Sequence, residues 1–431
     1  MQQPVCLIRL AGPSPRCGKG QARATKEQSA TTDREDLVAP ANLNRRRLFH
    51  LAAGLSVFGA AACSATPDSP APNTAVPKPD GALGANFNAD PDTMGWDELQ
   101  RSGAKWVRGF TAMPDLDKHA AAENPTIKTL LQAADRQYGT VLSLKFPYFP
   151  DSHKPIPRPG TPAMQADLAR VDKVLPAVMD KVDILVIGNE PFIECPQSDW
   201  NNGALNEFYE TIAAHVIKQR EGKTVLYMGA LNNLEDPKWT GAGTERWMKY
   251  VRDTPEIEGT DLHPHVAAPD QVQAFLDYTL PKLGGKKFLV TEFSLVQLWK
   301  KHLTDRISAE YADKYHVPKD TKVWQVIRNA LRQPFPQARW DDFLRTSPWF
   351  ENNKNFLTDQ MAKFRATGKL AVATYGIDQG IAALKGADFG PDTPPWLLNS
   401  VFARATVQKN PDGTAAPNYA WLEEFTALQN R

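Results

Sequence analysis

Cysteine is scarce in this chain: four in 431 residues, at positions 6, 17, 63 and 195. The first three lie ahead of any segment that reads as folded, which leaves Cys195 without a partner. The folded part is therefore expected to rest on its apolar core, with no disulfide. Cys195 could serve as a nucleophile, but a buried or bystander thiol is the preferred reading. An excess of charge of one sign is also missing, with Lys+Arg at 50 against Asp+Glu at 49. With no basic stripe, nucleic acid is not expected as a partner. The apolar run Leu48–Ala62 has roughly fifteen residues, fewer than the ~20 a stable membrane-spanning helix needs. Methionine is absent between Met1 and Met94, so a later start would need a non-Met codon, with Leu37 and Val38 as candidates.

That short run has informative flanks. Asn44-Arg45-Arg46-Arg47 precedes it and Ala60-Ala61-Ala62-Cys63 ends it. Basic residues, a short apolar core and small residues at its end form the pattern of a secretory signal. The ending resembles a lipobox, which implies that Cys63 is lipidated and becomes the mature N-terminus. The arginine pair resembles a twin-arginine export signal; an ordinary secretory signal holding three arginines is the alternative. Beyond it, Pro67, Pro70, Pro72, Pro77 and Pro79 favour extended, solvated chain, so residues 64–80 read as a tether. The expected organisation is a leader and signal over 1–63, a tether over 64–80 and a folded domain over 81–431. The expected location is the cell envelope, with a lipid anchor in the membrane.

From Gly81 onward a short apolar strand, a loop and an amphipathic helix recur. Strands are predicted at 83–87, 105–110, 140–146, 182–187, 224–229, 259–263, 287–291 and 370–375. The intervening segments carry a helical period. Ile127, Leu130, Leu131, Ala134 and Tyr138 share one face; Leu205, Phe208, Ile212 and Val216 share another. Alternating strand and helix argues for a parallel sheet. Eight such units favour a closed (β/α)8 barrel over a doubly wound open sheet, since no Gly-x-Gly-x-x-Gly follows the first strand. Roughly sixty residues, 294–353, separate the seventh strand from the next helix, a connection long enough to have its own structure or role. They contain Trp299, Tyr311, Tyr315, Trp324, Phe335, Trp340 and Trp349. A helical lid or side wall over the barrel mouth and a small stabilising subdomain are both open.

Barrel enzymes work at the carboxyl ends of their strands. There the fourth strand ends Gly188-Asn189-Glu190-Pro191 and the seventh Thr291-Glu292-Phe293. A carboxylate at the exit of a buried strand is costly unless it is paired or used. Two of them, about a hundred residues apart, match the acid/base and nucleophile pair of glycoside hydrolysis. Trp200, Trp239, Trp299 and Trp396 fall in predicted loops on the same rim, where indole rings would cover the apolar faces of sugars. Trp96, Trp106 and Trp247 fit the layer between helices and barrel, and Trp421 the last helix.

On these residues the chain resembles the clan A glycoside hydrolases. The resemblance implies Glu190 as acid/base, Glu292 as nucleophile and Asn189 as the partner of the substrate 2-hydroxyl. Arg108, ending the second strand, would hold Glu292 ionised and oriented. His263-Pro264-His265 stands where many members have His-x-Tyr, which puts the usual tyrosine contact to the nucleophile in question. Lys145 ends the third strand without the histidine common in several families. Tyr375 ends the eighth, where a tryptophan usually floors the −1 subsite. His-x-His also resembles the metal-binding pair of amidohydrolases, but there it belongs to the first strand, which here offers Asn86-Phe87-Asn88. The expectation is a monomeric retaining enzyme acting on a β-linked oligo- or polysaccharide without metal or cofactor. The alternatives are a carbohydrate-binding lipoprotein that has lost turnover and a metal-dependent barrel hydrolase.

Overall fold

A computed structural model of the chain describes residues 78–149, 154–379 and 389–430. The leader, Cys63 and nearly all of the expected tether lie outside the described residues. No helix among the described residues is long and apolar enough to cross a membrane.

Eight parallel strands close into a barrel in sequence order. They are β1 (Ala82–Asn88), β2 (Trp106–Ala112), β3 (Gly139–Lys145), β4 (Ile184–Ile187), β5 (Val225–Asn232), β6 (Ile257–His263), β7 (Lys287–Val290) and β8 (Leu370–Gly376). All eight predicted strands are present, and β5 runs three residues past its predicted end, to Asn232. Outward-facing residues such as Val107, Leu142, Leu185 and Leu226 join the helices in one large apolar cluster. Inward-facing Val141, Ile184, Val186, Tyr227 and Leu289 form a second, smaller one. The alternation follows from the two-residue period of a strand.

Trp106 corrects an expectation. It lies inside the barrel with the second cluster and not in the helix layer. Gly84 and Gly139 make room for it, since a Cβ on either would stand 2.6 or 2.3 Å from Trp106 atoms. This indole fills the barrel beneath Arg108, two residues further along the same strand and on the same side.

The helix after β2 spans Pro125–Asp135, with the Asn124 side chain accepting from the Thr126 and Ile127 amides. That cap satisfies donors the helix cannot satisfy itself. Tyr138 lies beyond the helix end, in the turn leading to β3. The long segment after β7 folds into helices at Val296–His302, Ala309–Tyr315, Val323–Arg332, Gln337–Arg345 and Pro348–Glu351. Its aromatic residues turn inward. Trp340 Nε1 donates to Asn418 Oδ1 at 2.9 Å, and the Phe335 amide donates to the Thr406 carbonyl. The segment is thereby packed against the C-terminal stretch.

Candidate active site

Gly188 gives the chain its exit from β4. Its φ is +104°, and a Cβ there would stand 2.3 Å from the Gly229 carbonyl oxygen. Only glycine fits such a position. The turn carries Asn189 and Glu190 to the barrel mouth, where Thr291 and Glu292 arrive directly beyond β7.

Arg108, fully buried on β2, joins these exits. Its Nη1 donates to Glu292 Oε1 at 2.5 Å and to Asn88 Oδ1 at 3.0 Å. Its Nη2 donates to Asn189 Oδ1 at 2.6 Å. One planar guanidinium therefore orients the carboxylate at the end of β7 and the amide at the end of β4. Asn189 Nδ2 in turn donates to Glu194 Oε1 at 2.9 Å, which fixes which way its amide faces.

The β6 residues complete the mouth. His263 Nδ1 lies 3.1 Å from Glu190 Oε1 and 3.9 Å from Glu292 Oε1. Both carboxylate oxygens thus face one ring nitrogen and lie no more than about 7 Å apart. On its other side, His263 Nε2 is 2.9 Å from Thr291 Oγ1 and 3.4 Å from Asp261 Oδ2. Thr291 Oγ1 donates to Asp261 Oδ2, so it is free to accept from the ring. A parallel bridge between His265 and Ser294 continues the β6–β7 pairing. It sets His265 Nδ1 2.8 Å from Ser294 Oγ and His265 Nε2 3.5 Å from Glu292 Oε2. His265 thus faces the Glu292 carboxylate.

The electrostatics follow from these contacts. Burial pushes the Glu292 carboxyl up, but the charges of Arg108 and His263 and the bond from His265 hold it well below the usual carboxylate range. Burial likewise opposes ionisation of Glu190, and the hydrogen bond and charge of His263 outweigh it, so its pKa is lowered. Burial disfavours the His263 cation, yet Glu292, Asp261 and Glu190 raise its pKa to about 10. Two carboxylates thus flank one imidazole and favour its cation, and His263 Nδ1 is the nitrogen that faces Glu190.

Three residues of this site escaped the sequence reading. Asn232, at the end of β5 and paired in register with His263, donates from Nδ2 to Glu190 Oε1 at 2.7 Å. Glu194 is buried in the loop after β4, its pKa raised by burial. Lys145, noted only as a missing histidine, puts Nζ 3.3 Å from Glu194 Oε1 and 5.1 Å from the centroid of Phe110. A strand end three residues later would have exposed Asn232; nothing periodic marks Glu194 in its irregular loop.

The aromatic residues divide. Trp396, half-buried on the turn after β8, meets the His265 ring edge-on at 4.9 Å and borders the site. Trp200 and Trp239 lie 4.5 Å apart in the loops after β4 and β5. Trp299 is corrected: it lies in a helix and is 1% exposed, stacked on Phe350 and beside Trp421, so it offers sugar no surface. Tyr375 is corrected for the same reason. It is fully buried and points outward to Phe293 and Trp421. Cys195 is buried, and burial pushes its thiol up to about 12, which rules out a ready nucleophile.

No family model and no curated protein sequence matches this chain. Solved structures resemble it at low identity. A GH10 xylanase of Thermobacillus composti is 12% identical over 81% of this chain and 97% of its own, with a TM-score of 0.46. A mutant β-glucosidase of Trichoderma harzianum is 11% identical over 82% and 99%, with a TM-score of 0.44. XacCel5A, solved with cellopentaose, is 13% identical over 80% and 99%, with a TM-score of 0.43.

Proposed function

We propose that this protein is a retaining glycoside hydrolase acting on a β-linked glycan. The observation that carries the reading is the arrangement of Glu190 and Glu292 about His263, with Arg108 holding Glu292 as an anion. An ionised, oriented carboxylate is a competent nucleophile, and a second carboxylate beside a proton source is a competent acid/base. Glu292 attacks the anomeric carbon as its bond to the leaving oxygen breaks. The proton lying between His263 and Glu190 passes through Glu190 to that oxygen. Glu190 then takes a proton from water, which attacks the glycosyl–Glu292 ester and frees Glu292. Asn189 keeps its second Nδ2 hydrogen for the substrate 2-hydroxyl, a contact that strengthens in the oxocarbenium-like transition state.

Trp396 provides a face for the sugar nearest Glu292, and the Trp200–Trp239 pair a second platform on the rim. The signal-like segment ending at Cys63 supports export and lipid anchoring, which would present the site to glycans outside the cytoplasm.

The test is turnover of aryl β-glycosides together with trapping by 2-fluoro glycosides. A covalent adduct on the peptide containing Glu292 is expected. Oligosaccharide binding without hydrolysis or adduct would replace this reading with that of a carbohydrate-binding protein.

A further inference from the structure

We infer that the barrel mouth also binds one divalent transition-metal ion through Glu190, His263 and His265, and that such an ion inhibits the reaction. Ligand atoms of these three residues all lie within 4.8 Å of one another, the one such group among the described residues.

Proximity alone would be weak grounds; the orientation of the rings is the stronger. A metal-ligating histidine characteristically gives its other nitrogen to a carboxylate, carbonyl or water, which fixes the ring and its tautomer. His263 has such support, and at His265 a serine hydroxyl stands in that place. His263 Nε2 faces Thr291 Oγ1 and Asp261 Oδ2, leaving Nδ1 toward Glu190. His265 Nδ1 faces Ser294 Oγ, leaving Nε2 toward Glu292. Zinc in tetrahedral coordination, with bonds of ~2.0–2.1 Å, sets its ligand atoms roughly 3.3 Å apart. Side-chain shifts on the order of 1 Å would close the present group onto an ion. Two imidazoles and a carboxylate suit zinc, copper or nickel and not magnesium or calcium.

Inhibition follows from which atoms the ion takes. It occupies Glu190 and His263 Nδ1, the two groups between which the catalytic proton lies, and that proton leaves to solvent on binding. Glu292 lies outside that group of ligand atoms, so three protein ligands hold the ion. With Glu190 and His263 Nδ1 both bound to the ion, neither can pass a proton to the leaving oxygen. Metal binding rests on geometry alone, whereas inhibition rests on the glycosidase reading.

The experiment titrates the metal-free full chain with ZnCl2 by calorimetry and with CoCl2 by visible absorption. One ion per chain and a tetrahedral cobalt spectrum are expected. His265→Phe should weaken zinc binding at least ten-fold. Ser294→Ala, which removes the Oγ that faces His265 Nδ1 and accepts from the Val296 amide, should weaken it on the order of 10–100-fold. Circular dichroism and thermal unfolding of both variants check that they fold. Zinc should suppress aryl glycoside hydrolysis, EDTA should restore it, and magnesium should have no effect. Absence of saturable binding, or equal affinity in folded wild-type and His265→Phe protein, overturns the site. Activity abolished by EDTA and restored by zinc overturns inhibition. One-to-one zinc binding lost in His265→Phe supports the site even where no glycoside is hydrolysed, and then only the glycosidase reading falls.

Discussion

His263 Nδ1 stands 3.1 Å from Glu190 Oε1, inside a barrel mouth where the ring itself has no exposure to solvent. In the proposed mechanism the proton that Glu190 passes to the leaving oxygen is held on this neighbour. With His263 raised to about 10, the alkaline limb of kcat/KM should lie well above neutrality and belong to the pair. Replacing His263 with Asn should move that limb down by more than a pH unit, toward the range of a buried carboxylic acid. In Glu190→Gln the limb should vanish for substrates with good leaving groups. A pH–rate profile unchanged in both variants would place the acid elsewhere.

Arg108 holds Glu292 through a buried charge pair, and breaking such a pair typically costs about 3–5 kcal/mol. Arg108→Met should lower the unfolding midpoint and reduce kcat at least 100-fold. It should also raise the acid limb of the profile, because Glu292 would lose the cation that keeps it ionised. Lysine in its place should recover part of the stability and little of the activity, since an ammonium cannot reach Glu292 and Asn189 at once. Thermal melts and steady-state kinetics on the three proteins decide this.

Two tryptophans should respond in opposite ways. Trp299→Ala should destabilise the fold by about 3–5 kcal/mol, the range for a large aromatic removed from a core. It should reduce hydrolysis of long and short substrates alike. Trp396→Ala should leave the melting temperature nearly unchanged and lower kcat/KM for every substrate that fills the subsite beside Glu292. Selective loss on oligosaccharides in Trp299→Ala would return that residue to the groove.

Asp378, directly after β8, makes a stability prediction. Burial is the main cause that raises its pKa to about 8, and Arg404 Nε, 3.4 Å from Oδ2, offsets this only in part. A carboxyl raised on folding stabilises most below its unfolded value of 3.8, and that contribution is lost as pH rises through about 8. His263 acts in the same direction between 6.5 and about 10. The melting temperature should therefore fall from pH 6 to pH 9. Asp378→Asn, neutral at every pH, should flatten the fall; an equally steep decline in the variant would refute the assignment.

The export signal gives the last prediction. Cys63→Ala should release the protein from the membrane fraction without loss of catalytic activity, and lysine at Arg45, Arg46 and Arg47 should retain the precursor in the cytoplasm. Equal membrane association of the Cys63→Ala protein would point to another anchor.

The barrel was legible because its strands are short apolar runs that alternate with amphipathic helices. The exits at Asn189–Glu190 and at Glu292 were legible for the same reason, since a polar residue at the end of an apolar strand stands out in one dimension. Trp299 and Tyr375 were misplaced because an aromatic residue near a strand end can face the groove or the core. One residue of register, or one turn of helix, decides between them.

Local pattern in the chain thus determined the order of strands, the barrel class and the two glutamates at separate strand ends. Only the tertiary structure decided what those glutamates touch. Arg108 meets Glu292 across 184 positions of sequence, and His263 meets Glu190 across 73. Closing the barrel alone brings such residues within hydrogen-bond distance. The ionisation of the site is set by those contacts, since a charge acts through a few ångströms of space whatever length of chain lies between.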